Sequence, residues 1–268
     1  MKARLLIATG VIALGVALIA FIPAGILESI ANQRLAPTAQ LRATSGTIWS
    51  GATVLQIAEA GKPLAARGAK MEVPIRWSFA PSSLLRLRLG ADVTATGRAL
   101  NGKFRLEAGV LSAQIRDADV NAAMDAIGRL NQTVSIFKPG GELQVRSTEV
   151  PWRIDYLAPN AMSGRLDFAA SKVRMASIAG VPVGVPIGSY SGNLVFDGQR
   201  VNYKIDKSSG LISLIGGGHV AFDNSREFYY KGVATSLPGS PVWLASTLGG
   251  FGRTSPDGRT SIDYKTRW

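Results

Sequence analysis

Few side chains in this sequence are able to do chemistry, and they stand far apart. The chain has one histidine, His219, and no cysteine. A Ser-His-Asp hydrolase would depend on that histidine, but His219 follows three glycines at the predicted start of a strand, and no Gly-x-Ser-x-Gly motif occurs. Ser135 and Lys138 form a lone Ser-x-x-Lys match without the other signatures of penicillin-binding proteins. We therefore expect His219 to be an ordinary strand residue, exposed or hydrogen-bonded.

The acidic residues and glycines also give no catalytic or cofactor pattern. A glycosidase needs two facing carboxylates, whereas the acids here stand singly, and Asp117 and Asp119 precede a helical pattern in which Asp is favoured as a cap. One histidine without cysteine cannot build a transition-metal site unless carboxylates complete it. The run Gly249–Gly252 lacks the third glycine of a dinucleotide-binding loop and is not preceded by a predicted strand. The sequence therefore predicts no enzyme, no metal and no cofactor.

Length and charge leave several kinds of binding partner open. The chain has 268 residues, which fit one domain or two small ones, and 30 Lys and Arg against 18 Asp and Glu give a net charge of +12. Anionic partners such as a lipid surface, an acidic protein or nucleic acid are compatible with that charge. The basic residues are scattered, and the alternating run Leu85–Leu89 is typical of one face of a strand. The absence of cysteine suits the cytosol or a bacterial periplasm.

The N-terminus predicts the compartment. Lys2 and Arg4 precede an uncharged run, Leu5–Ile22, which as a helix is about 27 Å long and matches a hydrocarbon core. A cleaved signal peptide and a retained anchor are both compatible with such a run. The anchor is favoured, because the run is longer than a usual signal-peptide core and Pro23–Gly25 is a poor cleavage site. The basic residues before the span predict a cytoplasmic N-terminus and an exported body.

These features predict a single-pass membrane protein with an exported body. Its parts are a cytoplasmic tail (1–4), a transmembrane helix (5–22), a juxtamembrane helix and linker (23–40) and an exported β-rich domain (41–268), which is periplasmic if the protein is bacterial. The helical spacing of Ile26, Leu27 and Ile30 continues the helix beyond the span, and Pro37 ends it. An exported body meets little nucleic acid, so nucleic acid is not expected as a partner, and the aromatics of Phe228–Tyr230 are interpreted as cross-strand pairs.

From residue 41 onward, alternation of apolar and polar residues predicts strands. Residues 102–120, 164–178, 192–206 and 218–235 each suggest two short strands around a turn. A loose repeat, each copy of which begins with glycine, runs through this region. Its spacing is too irregular for a solenoid and fits successive hairpins. The predicted fold is mainly β, with a curved antiparallel up-and-down sheet, half-barrel or groove-like. Whether the sheet closes, curls or stays open is undetermined at this point.

One to three short helices interrupt the predicted strands. The first follows Pro81, with Ser82 or Ser83 near its cap. The second covers Asp117–Leu130, and the third covers Ser240–Gly252, with proline in its first turn and glycine at its end. We expect apolar residues of the third helix, among them Leu244 and Leu248, to cover an end of the sheet. A last hairpin turns at residues 256–258.

A tryptophan framed by small residues, in Ser45–Gly51, admits three interpretations: a ligand platform, a turn, or a packed first strand. The period of a strand would place Ile48 and Trp49 on opposite faces. In that interpretation the glycines of the run mark strand ends or a bulge, and Trp49 seals the membrane-proximal end of the sheet against Trp77. We favour the packed strand, with a ligand-stacking Trp49 as the alternative.

In order and length, these motifs resemble protein N of the type II secretion system (general secretion pathway). The family motif Ser-Gly-Thr-x-Trp-x-Gly corresponds to Ser45, Gly46, Thr47, Trp49 and Gly51. A strand tryptophan before a Pro-x-x-Leu-Leu turn corresponds to Trp77, Pro81, Leu84 and Leu85. A leucine-rich helix that ends in glycine before an Asp-Gly hairpin corresponds to Leu244, Leu248, Gly249, Asp257 and Gly258.

The resemblance implies an accessory, non-catalytic part of the secretion machinery in the inner membrane. Its partners would be other secretion subunits in the inner membrane or periplasm. The β-rich body is also similar to AsmA-like proteins, which implies the alternative of a lipid-binding or lipid-transport groove. One apolar face of an antiparallel sheet would supply that groove, and the net charge of +12 would favour anionic headgroups.

Overall fold

The computed structural model describes residues 21–59, 61–62, 64, 70–130, 138–158, 161–175, 184–237, 240, 244, 248–250 and 252–267. Within these ranges no helix has the length and apolar character needed to cross a membrane. The predicted span 5–22 lies outside the described residues except for its last two, and so do the orienting residues Lys2 and Arg4.

Strands dominate the described part of the chain. They are β1 (Ala39–Gly46), β2 (Ser50–Ala58), β3 (Lys70–Phe79), β4 (Leu89–Thr96), β5 (Leu100–Ala108), β6 (Ser112–Ala123), β7 (Pro139–Ser147), β8 (Trp152–Asp155), β9 (Met162–Met175), β10 (Gly188–Gly198), β11 (Arg200–Gly210), β12 (Ile212–Ala221), β13 (Glu227–Ser236), β14 (Arg253–Thr254) and β15 (Arg259–Arg267). Two α-helices, α1 (Gly25–Leu35) and α2 (Met124–Leu130), and a 3₁₀ helix (Pro81–Arg86) complete these elements.

All fifteen of these strands belong to one antiparallel sheet. Its order is β1-β2-β3-β4-β5-β6-β7-β9-β10-β11-β12-β13-β15-β14, and β8 pairs with β6 and β9 beyond the end of β7. Strands that follow one another in sequence are therefore neighbours in space, with two exceptions: β8 lies in line with β7, and β15 lies between β13 and β14. The predicted mainly β, up-and-down antiparallel sheet is confirmed, together with its few short helices.

The cross-strand register gives the sheet one apolar and one polar face. Residues directly opposite each other in a ladder present their side chains on the same face, and paired positions such as Trp77 and Val93 are apolar on strand after strand. On the other face the partners are polar, as in Asp92 with Arg105 and Asp119 with Arg146. The apolar face carries Leu55, Val73, Ile75, Trp77, Val93, Phe104, Leu106, Val120, Leu143, Val145, Leu166, Phe168, Leu194, Phe196, Val201, Tyr203, Val220, Phe228 and Tyr230.

The sheet has two ends, which differ in what covers them. We call the end with the β1–β2, β3–β4, β5–β6, β8–β9, β10–β11 and β12–β13 connections the entry end, because the amide of Ile48 there donates to the carbonyl of Ile22 at 3.1 Å. At the opposite, distal end, Leu244 and Leu248 are buried in an apolar cluster. The other buried members of this cluster are Ala170, Val173, Ile187, Ile212 and Ala234.

Helix α1 runs along the outer edge of β1. The Asn32 side chain accepts a hydrogen bond from the amide of Leu41 at 2.6 Å and donates to the Leu41 carbonyl at 3.0 Å. A carboxylate oxygen of Glu28 also accepts from the amide of Thr44 at 3.1 Å. These side chains occupy backbone groups of the edge strand, which would otherwise be open to pairing with another chain. A helix beyond the predicted span is confirmed and ends at Leu35, before Pro37. It begins anew at Gly25 and does not continue the span, because Pro23 forms a β-bridge with Thr47.

Three local predictions are wrong. Of the predicted helix Asp117–Leu130, only Met124–Leu130 is helical, because the residues up to Ala123 pair with β5 and β7. Residues 164–175 belong to one strand, β9, without a turn, because β7 and β10 both pair along its length. In the run Leu85–Leu89, which resembled a strand, only Leu89 is in β4, since the 3₁₀ helix continues to Arg86 and Leu87 is left-handed at φ 53°.

The hairpin predictions are otherwise confirmed. Residues 102–120 fall on β5 and β6, residues 192–206 on β10 and β11, and residues 218–235 on β12 and β13. The turn at residues 256–258 separates β14 from β15. Of the predicted third helix, Leu244, Leu248 and Gly249 are helical, and its remaining residues are described only at positions 240, 250 and 252.

Candidate functional site

The Ser45–Gly51 run forms the tight connection between β1 and β2 at the entry end. The hydroxyl of Thr47 accepts hydrogen bonds from the amides of Trp49 at 3.3 Å and Ser50 at 3.2 Å. A threonine side chain that bonds local backbone in this way favours a turn over a strand. Ile48 and Trp49 therefore lie in the turn, and the prediction that they occupy opposite faces of a strand is wrong.

Trp77, on the neighbouring part of β3, links that turn to the sheet by a hydrogen bond and by close packing. Its indole N–H donates to the carbonyl of Ile48 at 3.1 Å, and it stands opposite Gly51 in the β2–β3 ladder. A Cβ atom at Gly51 would lie 2.5 Å from the indole ring and 2.4 Å from the carbonyl oxygen of Ser45. Glycine is therefore required at position 51, because strand and ring approach too closely for any side chain.

Trp49 packs on the end of the same strand. Its ring meets Phe79 edge to face, with centroids 5.4 Å apart, and its carbonyl accepts a hydrogen bond from the Phe79 amide at 2.6 Å. This geometry is favourable for aromatic pairs. The structure thus brings the first motif and Trp77 together as predicted, although the aromatic partner it shows for Trp49 is Phe79. The contact between Trp49 and Trp77 stays a prediction.

The Pro-x-x-Leu-Leu stretch forms the 3₁₀ helix that follows β3. Pro81 opens it, as expected, but Ala80 is its N-cap and no side chain caps it, so the prediction of Ser82 or Ser83 as cap is wrong. Ser83 is buried instead, and its hydroxyl donates to a carboxylate oxygen of Glu107 at 2.8 Å. Leu84 and Leu85 project to the outside.

Glu107 is fully buried beneath this 3₁₀ helix and is held by three side chains. Besides Ser83, Gln114 donates to it at 2.7 Å, and the guanidinium of Arg86 forms an ion pair with it. Burial alone would raise the pKa of Glu107, but the hydrogen bonds from Arg86, Gln114 and Ser83 outweigh it and lower the pKa to about 2. The carboxylate joins the 3₁₀ helix to β5 and β6, and an acid this strong is unsuited to donating protons near neutral pH.

Sequence reasoning missed the cluster around Glu107. The available signal was the β5–β6 hairpin, whose register places Gln114 directly opposite Glu107. Arg86 and Ser83 lie 21 and 24 residues away from Glu107 in the sequence, and no local sequence pattern predicts the contact. A hydrogen-bonded carboxylate with these partners has a structural role at the entry end.

The third motif set lies at the distal end, away from the other two. Leu244 and Leu248 are buried in the apolar cluster there, which agrees with their predicted role of covering an end of the sheet. Gly249 follows Leu248 in helical conformation. Asp257 and Gly258 form the last turn, where the Asp257 carboxylate accepts from the amide of Arg259 at 3.3 Å and Gly258 has a positive φ of 76°.

His219 lies on the polar face of β12, as predicted for an ordinary strand residue. A ring nitrogen is 3.2 Å from the carboxylate of Glu227, which also pairs with Lys265 at 2.8 Å. The hydrogen bond from Lys265 is the main cause of the lowered pKa of Glu227. In the part of the chain that the structure describes, no three His, Asp or Glu side chains converge as metal ligands would. Ser135 lies outside the described residues.

Comparison with known proteins adds one match. A sequence model of the family described as type II secretion system (T2SS), protein N, matches residues 37–263. Comparison with curated proteins and with solved structures returned no match. The matched region begins just before β1 and contains all three motif sets, the first two at the entry end and the third at the distal end.

Proposed function

The chain belongs to the type II secretion system protein N family and so has an accessory role in type II secretion; from this premise we propose that it acts without catalysis, as an inner-membrane subunit whose periplasmic β-domain binds other secretion subunits. The observation that supports this most strongly is the family match over residues 37–263. The polar cluster around Glu107 also has a structural character, because its carboxylate is buried and hydrogen-bonded by neighbouring side chains.

The proposed arrangement in the membrane follows the sequence. Residues 1–4 are cytoplasmic, residues 5–22 span the inner membrane, residues 23–40 hold the juxtamembrane helix and linker, and residues 41–268 are periplasmic. This assignment is supported by the uncharged run after Lys2 and Arg4. Because the chain has no cysteine, single cysteines report topology cleanly. A membrane-impermeant maleimide added to spheroplasts is expected to label Asp257→Cys and to spare Lys2→Cys, and labelling of both or of Lys2→Cys alone would contradict it.

The role in secretion is tested by deleting the gene and assaying the export of enzymes that use the type II pathway. We expect export to fall and to recover with the intact gene supplied in trans. Crosslinking with a photoreactive residue at Tyr264, exposed on β15, is expected to capture a secretion subunit. Unchanged export together with no captured subunit would refute the proposal. A reaction that depends on a purified small-molecule substrate would contradict the non-catalytic part.

A second candidate is a groove-like surface that binds lipid, which the apolar face of the sheet would supply. Many of its side chains, including Leu194, Phe196 and Tyr203, are only half-buried. The indole nitrogen of Trp152, which packs on Phe196 with ring centroids 6.0 Å apart, has no hydrogen-bond partner among the described residues.

Native mass spectrometry separates the two candidates. A protein extracted gently from membranes is expected to carry phospholipid bound to the apolar face in the second case and only phospholipid around the span in the first. Phe196→Asp would remove a bound lipid by placing a charge on the apolar face. Asp167→Asn, on the polar face of β9, is the matched control and should leave the lipid signal intact. Absence of lipid from the unaltered protein would remove the second candidate.

A further inference from the structure

The most exposed apolar side chains of the described residues are all at one end of the sheet. Five large apolar residues expose more than three quarters of their surface: Phe21, Leu85, Leu87, Val110 and Leu157. Large patches of this kind on a folded protein mark a surface that another molecule or a membrane covers. These five residues come from four separate segments of the sequence, so their position at one end results from the fold.

Backbone contacts show that they share the entry end. Phe21 precedes Ile22, whose carbonyl accepts a hydrogen bond from the β1–β2 turn. A carbonyl of the same turn accepts a hydrogen bond from the end of β3. The segment with Leu85 and Leu87 follows directly after that strand. Val110 is in the β5–β6 turn, and the amide of Tyr156, next to Leu157, donates to the Leu111 carbonyl of that turn at 2.9 Å. The exposed apolar residues therefore occupy neighbouring connections at the entry end. We call the surface formed by these five residues the rim.

The described connections of the distal end have a different character. The β4–β5 turn consists of Gly97, Arg98 and Ala99, and the β14–β15 turn contains Asp257 and Gly258. The large apolar residues Leu244 and Leu248 at that end are buried. The exposure of leucine and valine at the entry end is therefore a property of that rim and is not shared by the described turns opposite it.

The chain that precedes the described residues indicates what covers this rim. The uncharged run Leu5–Ile22 joins the fold through Phe21 and Ile22, so the end of the run and the rim lie together. The guanidinium groups of Arg86 and Arg88, beside the exposed leucines, are bound by Glu107 and Ser112 within the domain. The neighbouring apolar run therefore indicates a bilayer as the occupant of this end.

We propose that the entry end dips into the surface of a phospholipid bilayer, with Leu85, Leu87, Val110 and Leu157 among the acyl chains. The inference rests on the proposed anchor only in so far as the apolar run directs this rim toward the membrane. Interfacial amphipathic helices bury their apolar faces by about 5–10 Å, and we expect a similar depth for this surface. The β-domain would then be held in a defined orientation on the membrane, with the distal end pointing away from it.

The test uses the full-length chain in nanodiscs of phosphatidylcholine and phosphatidylglycerol at 3:1 (about a quarter anionic, to approach a bacterial surface potential). Single cysteines replace Leu85, Val110 or Leu157 and carry an environment-sensitive fluorophore. Arg98→Cys and Asp257→Cys, in the distal turns, are the matched controls. Nitroxide-labelled lipid is expected to quench the three labels at the rim and to leave the two distal labels unchanged.

A label at Gly15, in the apolar run, separates this inference from the proposed anchor. Quenching at Gly15 without quenching at the rim would overturn the inference and leave the anchor in place. Quenching at the rim without quenching at Gly15 would support the inference and contradict the anchor. Rim labels that stay unquenched in nanodiscs but are shielded from maleimide in cells would also overturn it, since a protein would then be the occupant.

A pair of charge substitutions tests the same surface. Leu85→Glu combined with Val110→Glu is expected to abolish quenching of the label at Leu157, because carboxylates oppose insertion among acyl chains. Both positions are exposed, so the fold is not expected to suffer. Ile215→Glu, at an exposed apolar position within β12, is the matched control and should leave quenching unchanged. Equal quenching in the double variant and the control would contradict the proposal.

Discussion

The side-chain amide of Asn32 forms two hydrogen bonds with the backbone of Leu41, accepting from its N–H at 2.6 Å and donating to its carbonyl at 3.0 Å. One residue of α1 thus occupies a donor and an acceptor on the outer edge of β1. Unpaired edge strands pair readily with other chains. Asn32 therefore protects this edge of the sheet against association.

Replacing Asn32 with Leu is expected to destabilise the protein and to promote self-association. The substitution leaves the two backbone groups of Leu41 without partners, which costs about 1–3 kcal/mol. Unfolding in urea measures the loss, and sedimentation velocity measures association. Gln33→Leu, at an exposed position of the same helix, is the control for added apolar surface. Equal association of the two variants would show that Asn32 does not protect the edge.

Gly51→Ala is expected to disturb the connection between the first motif and Trp77. The new Cβ atom would stand 2.5 Å from the indole and 2.4 Å from the Ser45 carbonyl oxygen, and the latter belongs to the backbone and cannot move aside cheaply. Overpacking of this kind costs about 1–3 kcal/mol. Gly25→Ala, where a Cβ atom meets nothing within 4 Å, should be neutral. Thermal unfolding of both variants checks this.

Trp77→Phe separates the hydrogen bond of the indole from its packing. Phenylalanine keeps an apolar ring opposite Gly51 but leaves the Ile48 carbonyl without its donor. We expect a loss of about 1 kcal/mol in the free energy of unfolding. Trp49→Ala, which removes the ring that packs on Phe79, should cost about 3 kcal/mol or more. A stable Trp49→Ala protein that loses only partner binding would instead restore the ligand-platform interpretation.

Glu107 predicts an acid-dependent part of the stability. Its pKa is lowered from 4.5 to about 2 in the folded protein, so the folded state favours the carboxylate. The contribution is therefore complete above the ordinary pKa and is lost as the pH falls from about 4.5 toward 2. Urea unfolding between pH 2 and 6 should show this slope, and Glu107→Gln should flatten it.

Glu142→Gln is the matched control for the loss of stability at acidic pH, because Glu142 is an exposed carboxylate on β7. It should leave the slope of the unaltered protein in place. At neutral pH, Glu107→Gln should lower the free energy of unfolding by about 1–3 kcal/mol, since the ion pair with Arg86 is lost. If the free energy of unfolding of Glu107→Gln still fell between pH 4.5 and 2 as steeply as in the unaltered protein, other carboxylates would be the cause of the pH dependence.

Local patterns in the sequence predicted much of this fold. A polar turn between two alternating runs specifies a hairpin within about 20 residues, so β5–β6, β10–β11 and β12–β13 were predictable. Alternation also indicated which residues share a face. The same reasoning failed for residues 117–123, where the helical spacing of Val120 and Met124 was misleading. Pairing with β5 and β7 on both sides overrides that local preference.

The candidate site was predictable in its members and not in its contacts. The motif residues near Trp49 and Trp77 were identified from sequence, and the structure joins them through Ile48, which is 29 residues from Trp77. The threonine-centred turn was one of the three interpretations but was not favoured, because a strand period and a turn give the same residue types over seven positions. Glu107 was missed because its partners Ser83 and Arg86 come from another connection.

By itself, the sequence determined the hairpins, the apolar and polar faces of the strands and the apolar N-terminal run, because each depends on neighbours within a few residues. Only the tertiary structure decided which connections share an end, that Asn32 covers the edge at Leu41, and that Glu107 is buried among three donors. These properties arise from contacts between distant segments. A local pattern specifies how a strand alternates, but the ladder partners decide where each residue stands in the sheet.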